Sequence, residues 1–496
     1  MRRRPLRSFF TCMALSLLVL CTLFYSCGEP VRSAPEEALL TFSADTLRLD
    51  TLYSRISSAT HRLLVYNRNN AAITLDEVAL SEDADSGFRI NVDGHRGRHF
   101  QGIQIADRDS MYIFVEATFP EGADDLPTLQ EGDILLKRGS RLQKIHLEAF
   151  RLNTDHVTAL VVTADQQLAA HRPLFIRDSI FVAAGATLTI PAGSHLLMSD
   201  KARIIVEGTL HCMGSAERRI LIEGVRRDDL VKEVNYRLLP GQWEGLYFAP
   251  GSSNNQLHYT TIRNGRGGLI LKGSSQEDKR PDLLLDGCQI QNMKVNALKA
   301  SDASLEAVNC ELSNTQAATV ALGKGDYHFL FCTIANYYLF DFRIEPALQI
   351  AEGQASECRL QLEASIVEGN HAVQRPTNGQ ADGGEISINT QSDAVNFVAS
   401  YLRAPLERLA RQSNCIEATL SPDSTFLHTG KKRNKKEEYD FRYDFRPRSN
   451  APFVKKGYSH APPTDLYGKQ RPADATWGAY EPDEQAQAEE DKQANR

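Results

Sequence analysis

The sequence predicts an all-β chain in which an Ig-like β-sandwich precedes a right-handed parallel β-helix. Three observations carry this. From Leu39 to about Asn153, short apolar runs alternate with period two and turn clusters separate them. From about His156, strands shorten and Gly and Asn punctuate them. Then Cys288-Gln289-Ile290-Gln291-Asn292 recurs as Cys310-Glu311-Leu312-Ser313-Asn314 and as Cys332-Thr333-Ile334-Ala335-Asn336, at intervals of 22 residues.

Residues 1–26 read as a signal peptide. Arg2, Arg3, Arg4 and Arg7 form a charged start, and an apolar stretch runs from Phe9 to Phe24. That stretch is short for a membrane span and suits a signal core. It ends in Ser26-Cys27-Gly28, the pattern of a bacterial lipoprotein signal, with a small residue before the cut and a thiol to carry the lipid. The expectation is lipidated Cys27, with acyl chains that hold the protein at a membrane. Residues 27–38 form a tether.

Residues 39–153 supply the sandwich. Leu63-Leu64-Val65-Tyr66, Met111-Tyr112-Ile113-Phe114-Val115 and Ile145-His146-Leu147 alternate as half-buried strands do. Asn67-Arg68-Asn69-Asn70 and Asp93-Gly94 supply turns. Short strands with regular turns suit an Ig-like sandwich.

Residues 156–429 supply the solenoid. A period near 22 with short strands is one turn of a stacked coil. Cys and Ile or Leu lie two apart, so both point into the core. The residues between them, Gln289, Glu311 and Thr333, point outward. Stacked thiols behave as small hydrophobes. Asn at each strand end serves a tight turn and bonds to the Asn above and below. Residues 430–482 read as an irregular cap, and 483–496 as a disordered acidic tail.

Composition narrows the functional classes. The chain is 42% hydrophobic, with net charge −7. Without residues 1–26 it carries 52 basic and 63 acidic residues, or −11. That excludes nucleic acid as the expected partner. The one basic run, Lys431 to Lys436, reads as a solvated loop. No CxxC pair, HExxH, GxSxG or phosphate-loop motif appears in a fitting context, so no metal and no cofactor is expected.

Several segments are identified by resemblance. Ser86 to Gly94, Asp109 to Val115, Gly185 to Gly193, Val206 to Leu210 and Pro240 to Leu246 resemble a family of bacterial β-helix lipoproteins. Arg471-Pro472 with Trp477 to Glu481 resembles that family's closing motif, with Trp477 where Ile is usual. The family is similar in fold to pectate lyases and mostly uncharacterised. The resemblance implies a pectate-lyase-like solenoid and an outer-membrane location, on either side of that membrane, and implies little chemistry.

Catalytic candidates are thin. Asp341-Phe342-Arg343-Ile344-Glu345 would place Asp341 and Glu345 around Arg343 on one strand face. The plainer reading is a surface ion-pair ladder. Asp326-Tyr327-His328 is a further candidate, read plainly as a solvated turn. Trp243, Tyr337 and Tyr338 could offer flat faces to a sugar ring; for Trp243 the plainer reading is a plug at a coil boundary. The leading expectation is a non-catalytic, membrane-attached module that binds a polysaccharide or an envelope protein. The alternative is a polysaccharide lyase or glycoside hydrolase acting in a groove along the helix.

Overall fold

The computed structural model describes residues 33–82, 87–169, 171–231, 234–273, 281–350, 357–375, 382–388, 394–430 and 441–494. Cys27 and the basic run at 431–436 lie outside them. The protein is mostly β, 51% strand and 5% helix, with large all-parallel sheets compatible with a β-helix. The chain divides into two compact units, 1–152 and 153–496.

In the first unit, two five-stranded sheets contribute to one apolar core. Alternation explains it: Leu63, Val65, Ile113, Val115, Ile145 and Leu147 are fully buried, while their strand neighbours face out. Thr46–Tyr53 pairs parallel with Arg141–Leu152, and the latter pairs antiparallel with Thr128–Arg138. Two sheets over one core agree with the expectation of a sandwich.

The second unit is dominated by an eighteen-stranded and a ten-stranded parallel sheet among the described residues. Parallel register stacks like on like. Ile222, Ile262, Ile290, Leu312, Ile334, Val367 and Leu402 form one buried row. Leu257, Leu285, Ala307, Phe329, Leu362 and Phe397 form another on the second sheet. Both rows belong to one apolar cluster. A branched chain every 4.8 Å keeps such a core closely packed.

The repeated cysteines sit in this core as free thiols. Cys288, Cys310 and Cys332 have no exposed surface. Their sulfurs donate to the carbonyls of Leu257 (3.1 Å), Val308 (3.2 Å) and Ala307 (3.3 Å). The recurring Asn264, Asn292 and Asn314 all adopt positive φ, 66°, 57° and 53°. Asn tolerates that region better than other side chains with a Cβ. The bonds around Asn336 run to other groups than the expected Asn ladder: its amide donates to Thr315 O at 3.0 Å and Ala317 O at 3.3 Å.

The outer face of the eighteen-stranded sheet is covered where the repeat is clearest. Phe331, Ala335, Tyr337, Ile366 and Tyr401 pack with Phe445, Phe453, Leu466, Trp477 and Tyr480 in a second core. The segment 443–481 therefore straps that face. Ala479 N donates to Thr333 Oγ1 (3.0 Å) and Gly478 N to Ala364 O (2.8 Å). Gly478 has φ +93°, and a Cβ there would lie 2.5 Å from Ile366 Cδ1. Gln289, Glu311 and Thr333, expected to face solvent, are buried beneath the strap, and the Tyr480 hydroxyl donates to Glu311.

The last segment also differs from expectation. Glu484–Ala494 is helical. Its sequence is rich in helix formers. Just before it Asp483 pairs with Arg446 (2.6 Å), and within it Asp491 pairs with Arg448 (2.8 Å). These charged contacts dock a segment that reads as a disordered tail.

Candidate functional site

The outer face of the ten-stranded sheet carries a groove. Strands Ala303–Val308, Gly325–Leu330, Cys358–Glu363 and Val395–Val398 lie side by side in register. Alternate residues turn outward, so Ser304 pairs with Asp326 and then Arg359, while Glu306 pairs with His328, Gln361 and Asn396. These two rows line a groove of about 560 Å³. Tyr327, between Asp326 and His328, points inward and is 3% exposed; burial pushes its pKa well up.

Hydrogen bonds fix the floor. Arg359 makes a two-pronged pair with Asp326. Gln361 Nε2 donates to Glu363 Oε1 at 2.7 Å, and His328 Nε2 lies 3.1 Å from Glu363 Oε2. Burial pushes the Glu363 carboxyl up, but the bonds from Gln361, His328 and Tyr458, with the His328 charge, outweigh it and its pKa falls below the ordinary 4.5. Asp282 accepts from Ser304 N at 2.8 Å. The groove thus offers amides, a hydroxyl, an imidazole, a guanidinium and two lining carboxylates, Glu306 and Asp326. Tyr327 also borders the groove, but its ring is turned inward and 3% exposed. Such a surface suits a polar ligand with many hydroxyls.

The residues singled out in the sequence fall elsewhere, except Asp326 and His328. Those two lie on a strand rather than in a turn. Asp341, Arg343 and Glu345 lie in a loop, not on a strand, and do not gather as a catalytic set. Arg343 is buried against Glu385, with Nη1 2.8 Å from Oε2. Asp341 accepts from Gln316 Nε2 at 2.7 Å, and Glu345 from Ala318 N at 2.9 Å. All three tie the loop to the body. Trp243 is 1% exposed, and its Nε1 donates to Arg263 O at 2.9 Å. Tyr337 stacks on Phe445 at 5.9 Å, and Tyr338 is 6% exposed. Buried rings offer no face to a sugar, so none of these three is a ligand platform.

A charge cluster escaped the sequence reading. Glu223 is buried and meets His195 Nε2 (2.9 Å), Arg227 Nη2 (2.9 Å) and Arg263 Nε (2.8 Å). Burial pushes its carboxyl up. The His195 bond and the Arg263 and Arg227 charges outweigh that and hold it at about 2, against an ordinary 4.5. A depressed carboxyl stabilises the fold above the unfolded value and loses that contribution as pH falls through the folded one. Stability is therefore expected to drop by roughly 3 kcal/mol between about pH 5 and pH 2 from this group. Denaturant titrations across that range check it: Glu223→Gln should flatten that part of the profile, and an unchanged slope would contradict the assignment.

Among the described residues no trio of His, Cys, Asp or Glu is placed to hold a metal ion. Nor is any of their helices long and apolar enough to cross a membrane.

No family model matches the chain, and no curated protein matches it. Chains of solved structures do match. One is a family 123 glycoside hydrolase from Clostridium perfringens, described for glycolipid glycan hydrolysis, at 11% identity and a TM-score of 0.16. The match covers 23% of this chain and 25% of that one. So slight a likeness carries no argument about this protein.

Proposed function

We propose that the protein is a lipid-anchored component of the bacterial outer membrane, with an Ig-like sandwich and a right-handed parallel β-helix. On this reading it binds a polysaccharide in the groove of the ten-stranded sheet without cleaving it. The observation that carries the ligand surface is the contrast between two faces. The strap covers the repeat face, whereas Ser304, Glu306, Asp326, His328, Arg359, Gln361 and Asn396 line an open groove. The Cys27 motif supports the anchor, and the 22-residue repeat with its parallel register supports the helix.

A second reading has one observation in its favour. Glu306 and Asp326 share the groove with His328, and paired carboxylates are the equipment of a glycoside hydrolase. A glycan array and a depolymerisation screen on the mature chain, with and without Ca²⁺, separate the two. Binding without new chain ends is the expected result. Cleavage would overturn the non-catalytic reading and make Glu306 and Asp326 the first variants. Silence on every glycan would sink the ligand class and turn the search to envelope proteins.

A further inference from the structure

The polar groups of the groove are unevenly matched. Arg359 is already engaged by Asp326. His328 and Gln361 each turn a nitrogen to Glu363, at 3.1 and 2.7 Å. Ser304 is tied to Asp282. Glu306 is the exception. It lines the groove in register with His328, and no described residue hydrogen-bonds to it or pairs with it. The wider charge balance points the same way. Asp282, Asp302, Asp326 and Glu363 add to Glu306, against Arg359 and His328. Lys324 nearby is answered by Glu357 at 3.7 Å. The excess is felt at the groove wall: burial first, then Cys358 and the charges of Asp302, Asp282 and Asp326, push the Tyr327 hydroxyl up. Gln361 commits its amide nitrogen to Glu363, so its carbonyl oxygen is the group it can offer a ligand. Acceptors and negative charge therefore dominate the surface.

We infer that the groove selects a glycan carrying protonated amino groups, with the Glu306 carboxylate as the seat of one ammonium. This rests on the polysaccharide-binding reading and narrows it to amino sugars. A protonated amine brings three donors and the opposite charge, and its bond to a carboxylate is of the strong, charge-assisted kind. A half-buried carboxylate without a counter-charge gains most from a ligand that supplies one. A uronate or sulfated polymer would instead bring like charge to the groove and meet repulsion there.

The test is calorimetric titration of the full chain with three hexamers, of glucosamine, N-acetylglucosamine and galacturonate, at low salt and about pH 6, where the amine is protonated. The glucosamine hexamer is expected to bind about tenfold tighter than its N-acetylated form, the worth of one charged hydrogen bond, and the galacturonate hexamer weakest of the three. Glu306→Gln should erase that margin by weakening the amine form alone. Glu306 has no described partner to lose, so the thermal midpoint should hold. The chain is acidic overall and attracts any polycation, so Glu131→Gln, an exposed site on the first unit, is the control and should leave the affinity unchanged. Equal weakening by both variants would show attraction by net charge and overturn the inference. Binding of the N-acetylated or galacturonate hexamer as tightly as the amine form overturns the amino-sugar assignment and leaves the groove reading in place. A glucosamine hexamer that does not bind also overturns the inference, and a glycan array silent on every polymer overturns the groove reading with it.

Discussion

Arg471→Ala is expected to cost about 3–5 kcal/mol of stability, because it strips one partner from a buried ion pair. The Arg471 side chain is 1% exposed and that of its partner Glu481 is 4% exposed, with Nη1 to Oε1 at 2.8 Å. The guanidinium also donates to Thr476 O (2.9 Å), Gly478 O (2.8 Å) and Asn309 Oδ1 (2.8 Å), and lies 4.5 Å from the centre of the Phe331 ring. One side chain therefore ties the strap to itself and to the parallel sheet. Its removal strips the buried Glu481 side chain of its ion-pair partner and leaves it the bond from Thr476 N. Denaturant unfolding measures the loss, and dye binding should report the uncovered Phe331 and Tyr401. Replacing both partners, as in Arg471→Met with Glu481→Leu, should restore most of the stability, because no charge is then stranded. A single variant within about 1 kcal/mol of the parent would show that the strap is held by its apolar contacts alone.

Trp243→Ala carries an expected loss of similar size, about 3–5 kcal/mol, for a different reason. The indole is among the largest fully buried side chains and belongs to the main apolar cluster. Truncation leaves a cavity that parallel strands, tied on both sides, close poorly. Trp243→Phe should cost less, since it fills most of the space and forfeits the bond to Arg263 O, worth about 1 kcal/mol. Thermal or denaturant midpoints read both. Glycan binding by the folded fraction should be unchanged; a specific binding defect at full stability would return Trp243 to the ligand site.

What the sequence disclosed depended on sequence separation. Core rows were legible because strand side chains alternate and the coil repeats, so Cys288, Cys310 and Cys332 announced their own stacking. Pairings between distant segments left no local trace. Arg343 finds Glu385 across 42 residues, and Tyr480 finds Gln289 across 191. The strap therefore inverted the expectation for Glu311 and Thr333, which alternation alone places in solvent. Asp326 and His328 read as a turn because Gly and Asp precede the aromatic. The register with Ala303–Val308 and Cys358–Glu363 makes the segment a strand and brings both side chains onto the groove. The Glu223 cluster draws on residues 195, 227 and 263, which no spacing rule links.

The most direct test of the groove as ligand surface is a titration of any glycan that the array identifies against Gln361→Ala/Asn396→Ala. Both side chains stand outward on neighbouring strands, so the fold should survive the change. Loss of two hydrogen-bonding groups should weaken binding about tenfold or more. An unchanged Kd in the double variant would place the ligand outside this groove and contradict the account.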